Sequence, residues 1–330
     1  NRWGSWCTRQ RRPTRTSRAD MRYTFRYNAQ TERIRLGMAF NIIPQWNPLR
    51  FAEDFATLHN FSGGRAILGV GRGTVPREAE TLGTKIGSFD NPSQVKADDL
   101  NRQQFDEAMQ VIQMALDQET FAFHGEVYDF PPHGIPDRGG TVKELTLVPR
   151  PLYPYETWQA ITSPPTLEQV PRRGWGGVFW NNHPTFFTER WSRFAEVYEE
   201  AHGRELARGE KRMLVLCTRV EDTREEAGEK VRPGHDEFWK FLGPYGWSKG
   251  YMGADGRPAP AGLVPTLEES LDQRIFLPGS PEDLADSIGW YRDLVGVEEL
   301  LLFPGMPGDS YDVVEEQMAR LAEEVLPLLS

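Results

Sequence analysis

Arg72 stands between two glycines in LGVGRG, residues 68–73. A guanidinium is a planar fork of donors that matches phosphate, and glycines beside it let the backbone approach a ligand closely. Arg102 is a second cation, placed near the start of an amphipathic run. Ser163 and Thr166 are three apart in SPPT. Hydroxyls at a helix start can cap it, while the free N–H groups and positive dipole end there favour an anion. Each group also has a plainer reading, as a glycine-rich turn with a solvated arginine, an exposed helix arginine, or an N-cap. Gly69-x-Gly71 is followed by Thr74 where a third glycine belongs, so the stretch is not a dinucleotide fingerprint. His124 and His133 have no Cys or acidic residue at ligand distance in sequence, and they read as structural with no metal site.

The elements that must position these groups start with Arg33–Ile43, aliphatic and β-branched, and too short for a buried helix. Asn47 can cap a helix with Pro48 at its first position. Ala52, Phe55, Ala56, Leu58 and His59 then recur at helical spacing, and Gly63-Gly64 supplies a left-handed exit. Ala66–Val70 is again strand-like and runs into Gly71-Arg72-Gly73. This is a parallel strand–helix–strand unit, and in such folds ligands sit beyond the carboxyl ends of strands. Thr74–Lys96 reads as a long polar loop, and Asn101–Leu116 as a helix with Arg102 in its first turn.

The pattern RIRLG, NP, R, AE, SGGR, LGVGRG resembles the bacterial luciferase-like flavin monooxygenases. The likeness continues through Asn101–Ile112, Thr157–Trp180 and Phe276–Pro327. It implies an α/β fold, a (β/α)8 TIM barrel, that uses reduced FMN or, in one branch, the deazaflavin F420. It implies further that Arg72, Arg102, Ser163 and Thr166 bind the cofactor phosphate. Ala39–Phe40 matches a non-proline cis peptide of the family, which makes Phe40 a contact for the flavin ring. With O2, one oxygen atom would enter a small organic substrate, and a separate NAD(P)H flavin reductase would supply the electrons. Family members are commonly homodimers. Gly71 stands where luciferases carry a reactive cysteine, so light emission is not expected. The runner-up readings are an F420-dependent oxidoreductase and a non-catalytic flavin-binding homologue.

Residues 1–30 depart from that pattern. The family would place its first two strands there, with a Glu-His-His stretch that is missing, so no catalytic base is assigned and a truncated or frame-shifted reading frame is expected. The segment has eight arginines against Asp20, which leaves −17 of the net −10 on residues 31–330. It reads as disordered, except that Met21, Tyr23, Phe25 and Tyr27 alternate as in a strand. The acidic body argues against nucleic acid, and no run of eighteen apolar residues predicts a membrane span. Two cysteines cannot build a disulfide framework or a zinc site, and a reducing cytoplasm is the natural compartment.

Farther along, Phe121–Leu152 is rich in Gly, Pro and aromatics and predicts an excursion with a hairpin. GGVFW, MLVLCTRV and Glu299–Phe303 predict strands, and Thr188–His202, Thr223–Val231, Glu282–Leu294 and Val313–Leu326 predict helices. Asn181, Asn182 and His183 lie at a strand's carboxyl end and are placed for a substrate pocket. Residues 234–262 form an aromatic insertion, either a lid or an interface. The alternation of strands and helices is that of a parallel α/β domain over residues 31–330.

Overall fold

The computed structural model describes residues 21–73, 75–87, 94–180 and 182–329, and these fall into two compact units, 21–159 and 160–329. Among the described residues no helix is long and apolar enough to cross a membrane.

The first unit opens with helix α1 (Met21–Asn28), where the alternating aromatics predict a strand. The reason is tertiary. Thr24 is buried, and its hydroxyl donates to Met38 Sδ at 3.2 Å. Phe25 packs edge-on against Phe61, with ring centroids 6.4 Å apart. Strands β1 (Leu36–Gly37) and β2 (Asn41–Ile42) follow, and both pair in parallel with β3 (Ala66–Gly71). Four steps from Gly37 to Asn41 face three from Ile67 to Val70, so residues 38–40 carry one extra residue, a bulge. Gly69 lies opposite it. A Cβ there would stand 2.0 Å from the Met38 carbonyl oxygen, so the position admits only glycine. Asn41 completes the join by donating from Nδ2 to the Gly69 carbonyl at 2.9 Å. The Ala39–Phe40 peptide within the bulge is cis, as the resemblance implies.

Helix α2 (Pro48–Phe61) forms as its local signals dictate. Asn47 Oδ1 accepts from the Leu49 and Arg50 N–H groups at 3.1 and 3.2 Å, and Phe51, Ala52, Phe55, Ala56, Leu58 and His59 are buried. At the other end Gly64, at φ +85°, returns its N–H to the His59 carbonyl. His59 is wholly buried, with Nδ1 3.1 Å from the Ala66 carbonyl oxygen.

After β3, a short helix α3 (Pro76–Thr81) occupies the stretch read as loop, and α4 (Val95–Asp117) begins six residues earlier than expected. Two small antiparallel pairs then make the excursion: β4 (Phe123–His124) with β5 (Asp129–Phe130), and β6 (Pro136–Asp137) with β7 (Gly140–Thr141). The first is pinned to α4 by Glu107, whose carboxylate accepts the N–H groups of Glu126, Val127 and Tyr128 at 2.8–3.1 Å. Burial pushes that carboxyl up, but the three backbone donors win and hold it below its ordinary range. Strand β8 (Thr157–Ile161) pairs in parallel with Leu68–Val70 through its first three residues.

In the second unit the chain passes through α5 (Pro164–Arg172), β9 (Gly176–Trp180), α6 (Pro184–His202), β10 (Arg212–Val220), α7 (Arg224–Leu242), α8 (Leu267–Asp272), β11 (Phe276–Gly279), α9 (Pro281–Val295), β12 (Glu299–Phe303) and α10 (Tyr311–Arg320). Strand β10 is the spine. Cys217 pairs with both Phe276 and Phe303, so β11 and β12 lie on opposite edges, and β9 shares the edge of β11. All these pairings are parallel, the α/β class the alternation predicts.

Helix α7 does not stop at Val231. It runs through Pro233 to Leu242, because Trp239 and Leu242 must be buried to close the core. The first nine residues of the aromatic insertion are therefore helix. The rest packs inward: Trp239, Tyr251 and Ala259 share a buried cluster with Cys217, Phe276 and Met306. Trp180, the last residue of β9, meets Trp247 at 5.2 Å and Phe303, the last of β12, at 6.1 Å. The insertion is thus an aromatic cover on the strand ends of this unit.

Candidate functional site

Arg72 and Arg102 meet in the first unit on a single carboxylate. Asp98, 3% exposed, accepts from Arg72 Nη1 at 3.1 Å and from Arg102 Nε at 2.6 Å. Asn101 Oδ1 accepts a second bond from Arg72 Nη1 at 3.0 Å, while its Nδ2 donates to the Lys85 carbonyl at 2.9 Å. The glycine-flanked turn after β3 is thereby locked to α4. Arg102 lies in the third turn of the helix rather than the first, since α4 starts at Val95. The arrangement follows from helical geometry: residues 98 and 102 are one turn apart on the same face, with the acid N-terminal to the base.

The electrostatics of this cluster are unbalanced. Two guanidiniums share the Asp98 carboxylate in a largely buried place, and Asp106 acts on Arg72 without touching it. Burial, and then the neighbouring Arg102, hold the Arg72 pKa below its ordinary value, against the opposing pull of Asp98. The terminal nitrogens Nη1 and Nη2 of Arg102 are buried and have no hydrogen-bond partner among the described residues. Orphaned charged donors of this kind are costly, and an anion satisfies them. Asp98 and Asn101 escaped the sequence reading. The acid-to-arginine spacing of one turn was the available signal, but its convergence on Arg72 is long-range.

Phe40 is half-buried in the bulge, and a Cβ on Gly71 would lie 3.3 Å from its Cβ. Ser163 and Thr166 come together at the start of α5 in the second unit. Thr166 Oγ1 accepts from the Ser163 N–H at 3.1 Å and donates to the Ser163 carbonyl at 2.8 Å. The Thr166 hydroxyl proton is therefore committed to the cap. Ser163 Oγ, 3.3 Å from Thr166 Oγ1, keeps a proton it can aim elsewhere.

Of the residues placed at the end of β9, Asn181 lies outside the described residues. His183 caps α6 by accepting from the Thr185 N–H at 3.3 Å, and its own N–H donates to the Gly250 carbonyl at 2.7 Å. It is a joint between the strand end and the aromatic cover. Cys7 also lies outside the described residues, and Cys217 is buried with its thiol pushed up to about 12, which leaves no thiolate for chemistry. The reading of His124 without an acidic partner is corrected: its Nδ1 lies 2.6 Å from Asp129 Oδ1.

A Ser–His–Asp contact that the sequence did not suggest occurs in the second unit. His235 Nε2 lies 2.7 Å from Ser270 Oγ and its Nδ1 3.0 Å from Asp236 Oδ1. Ser270 is wholly buried and its hydroxyl donates to the Thr266 carbonyl at 3.0 Å, so no substrate reaches it. The group is structural, and it predicts a pH effect. Burial lowers the His235 pKa from its ordinary 6.5, so the unfolded chain takes up the proton first. The contribution is full above roughly pH 6.5 and falls as the pH drops through that value. His183, lowered by burial as well, adds in the same direction. Urea unfolding should show stability declining from pH 7.5 to 5.5, and His235→Gln should flatten that slope; an equal slope in the variant refutes the assignment.

With the fold and this geometry in view, the family follows. The chain belongs to the luciferase-like monooxygenases, whose sequence profile matches residues 27–298. No curated protein sequence matches it. The solved structures it resembles include the monooxygenase RslO1 from Streptomyces bottropensis (TM-score 0.70, 19% identity, 94% of this chain and 83% of that one). They also include the oxygenating constituent of 3,6-diketocamphane monooxygenase from the CAM plasmid of Pseudomonas putida, in complex with FMN (TM-score 0.68, 20% identity, 94% and 84%). A third is an F420-dependent secondary alcohol dehydrogenase with an F420–acetone adduct (TM-score 0.65, 15% identity, 95% and 85%). At these identities the likeness shows the fold: α/β, of the luciferase-like (β/α)8 type, with an incomplete set of its strands among the described residues. Members of the family are oxidoreductases.

Proposed function

We propose that the chain is a reduced-flavin-dependent monooxygenase acting with O2 on a small organic substrate, and that the Arg72–Arg102 cluster binds the flavin phosphate. The observation that carries this is the pair of buried Arg102 nitrogens without a hydrogen-bond partner among the described residues, beside a second guanidinium and one shared carboxylate. A dianionic phosphate fits those donors and the two guanidinium charges. Phe40, in the bulge against Gly71, is the candidate contact for the ring. Ser163, in its own unit, is a further candidate hydroxyl donor to a phosphate. Bound reduced flavin supplies two electrons, so that O2 gives one oxygen atom to the substrate and one to water. The part of the chain itself in this reading is to hold the cofactor phosphate at Arg72 and Arg102. A separate NAD(P)H flavin reductase would deliver the reduced cofactor. The F420-dependent structural relative keeps a second reading open, hydride transfer with F420.

Anaerobic titration of the full chain with reduced FMN, reduced riboflavin and reduced F420 decides among these. FMN should bind more tightly than riboflavin, and Arg102→Gln should weaken FMN about 10–100-fold while leaving riboflavin unchanged, the loss expected for hydrogen bonds to a charged group. Binding of F420 in place of FMN would favour the second reading. If FMN and riboflavin bind alike, or if Arg102→Gln changes neither, the phosphate assignment fails.

A further inference from the structure

Outside this site, the excursion after α4 brings together three side chains that have no role in flavin binding. His124 and Asp129 are directly opposite each other in the β4–β5 pair, so they project from the same face. Asp129 Oδ1 is 2.6 Å from His124 Nδ1, and the His133 ring lies parallel to that of His124, with centroids 4.8 Å apart. One candidate ligand atom from each of the three residues lies within 4.8 Å of the others, and all three residues are exposed.

The geometry points to a divalent transition-metal site, filled best by Zn2+, with His124, His133 and Asp129 as ligands and water completing the shell. Two imidazoles and a carboxylate are a donor set that zinc takes readily. Tetrahedral ligands at zinc bond lengths stand roughly 3.4 Å apart. Exposed side chains close from 4.8 Å to that spacing by small rotations. The backbone beneath them is already fixed: Glu107 holds residues 126–128 through three backbone N–H groups, and Gln103 Nε2 donates to Glu126 Oε2 at 2.6 Å. Only side chains need to be ordered on binding. The bound metal would tie the hairpin to the chain that follows it.

Zn2+ alone, titrated calorimetrically into the full chain without an affinity tag, should bind with one equivalent per chain. His124→Gln and His133→Gln should each abolish that equivalent, and Asp129→Asn should weaken it about tenfold or more. Because these residues are exposed, the variants should melt like the parent in EDTA, and Zn2+ should raise the melting temperature of the parent alone. Absence of binding to the parent overturns the site, as does an equivalent of zinc that survives either histidine substitution.

Discussion

Replacing Asp98 by Asn should lower the free energy of unfolding by about 3–5 kcal/mol, the range for removing one partner from a buried ion pair. Asparagine keeps the shape and an acceptor, so the loss isolates the charge. Without it, two guanidiniums, 13% and 15% exposed, lose the carboxylate that both of them touch, and only the more distant Asp106 still acts on Arg72. The depressed Arg72 pKa already records burial and the repulsion from Arg102, with Asp98 opposing both. Urea unfolding at neutral pH gives the number, and the double variant Asp98→Asn/Arg102→Met should recover part of it by removing the second charge. Inorganic phosphate should stabilise Asp98→Asn more than the parent, because the variant cluster carries one more positive charge. A variant as stable as the parent, within about 0.5 kcal/mol, would show that the carboxylate does not hold the cluster together.

What made Arg72 legible was local, and what makes the cluster work is not. Asn47-Pro48, the helical recurrence of Ala52 to His59, and Gly63-Gly64 all act within α2 itself, and that helix forms where those signals place it. GGVFW and Glu299–Phe303 likewise become strands with the expected limits. Asp98 is different, for its partner in the turn after β3 is 26 residues away. A linear reading offers only its one-turn spacing to Arg102, a pattern that solvated helix acids share. Met21–Tyr27 shows the opposite failure. Its alternation is real, but burial of Thr24 against Met38 favours a helix, and tertiary contact overrides a short periodic signal. The helix expected to end at Val231 likewise runs on through Pro233, since burying Trp239 and Leu242 outweighs one lost helical hydrogen bond. His124 looked solitary because the strand pairing that sets Asp129 opposite it exists only once the hairpin folds.

The second unit uses the same device as the first, and the comparison bears on the proposal that only the first binds an anion. Glu221, 3% exposed and next after β10, binds Arg219 Nε at 2.7 Å and Lys230 Nζ of α7 at 2.7 Å. Gln317 of α10 brackets the strand end, donating to the Val220 carbonyl at 2.8 Å and accepting the Val220 N–H at 2.7 Å. Asp309 lies 3.6 Å from Arg219, and Asp222 and Glu324 take up Arg320. Every cation here is met by an acid, whereas in the Asp98 cluster Arg102 Nη1 and Nη2 have no hydrogen-bond partner among the described residues. Glu221→Gln should therefore cost about 3–5 kcal/mol of stability, carried mostly by the buried Arg219 contact, because Lys230 is 45% exposed and screened. It should leave the affinity for reduced FMN unchanged, while Asp98→Asn should shift it. Unfolding curves and anaerobic titrations on the two variants make the comparison, and a loss of FMN affinity in Glu221→Gln equal to that in Asp98→Asn would mean that both substitutions act only by loosening the fold.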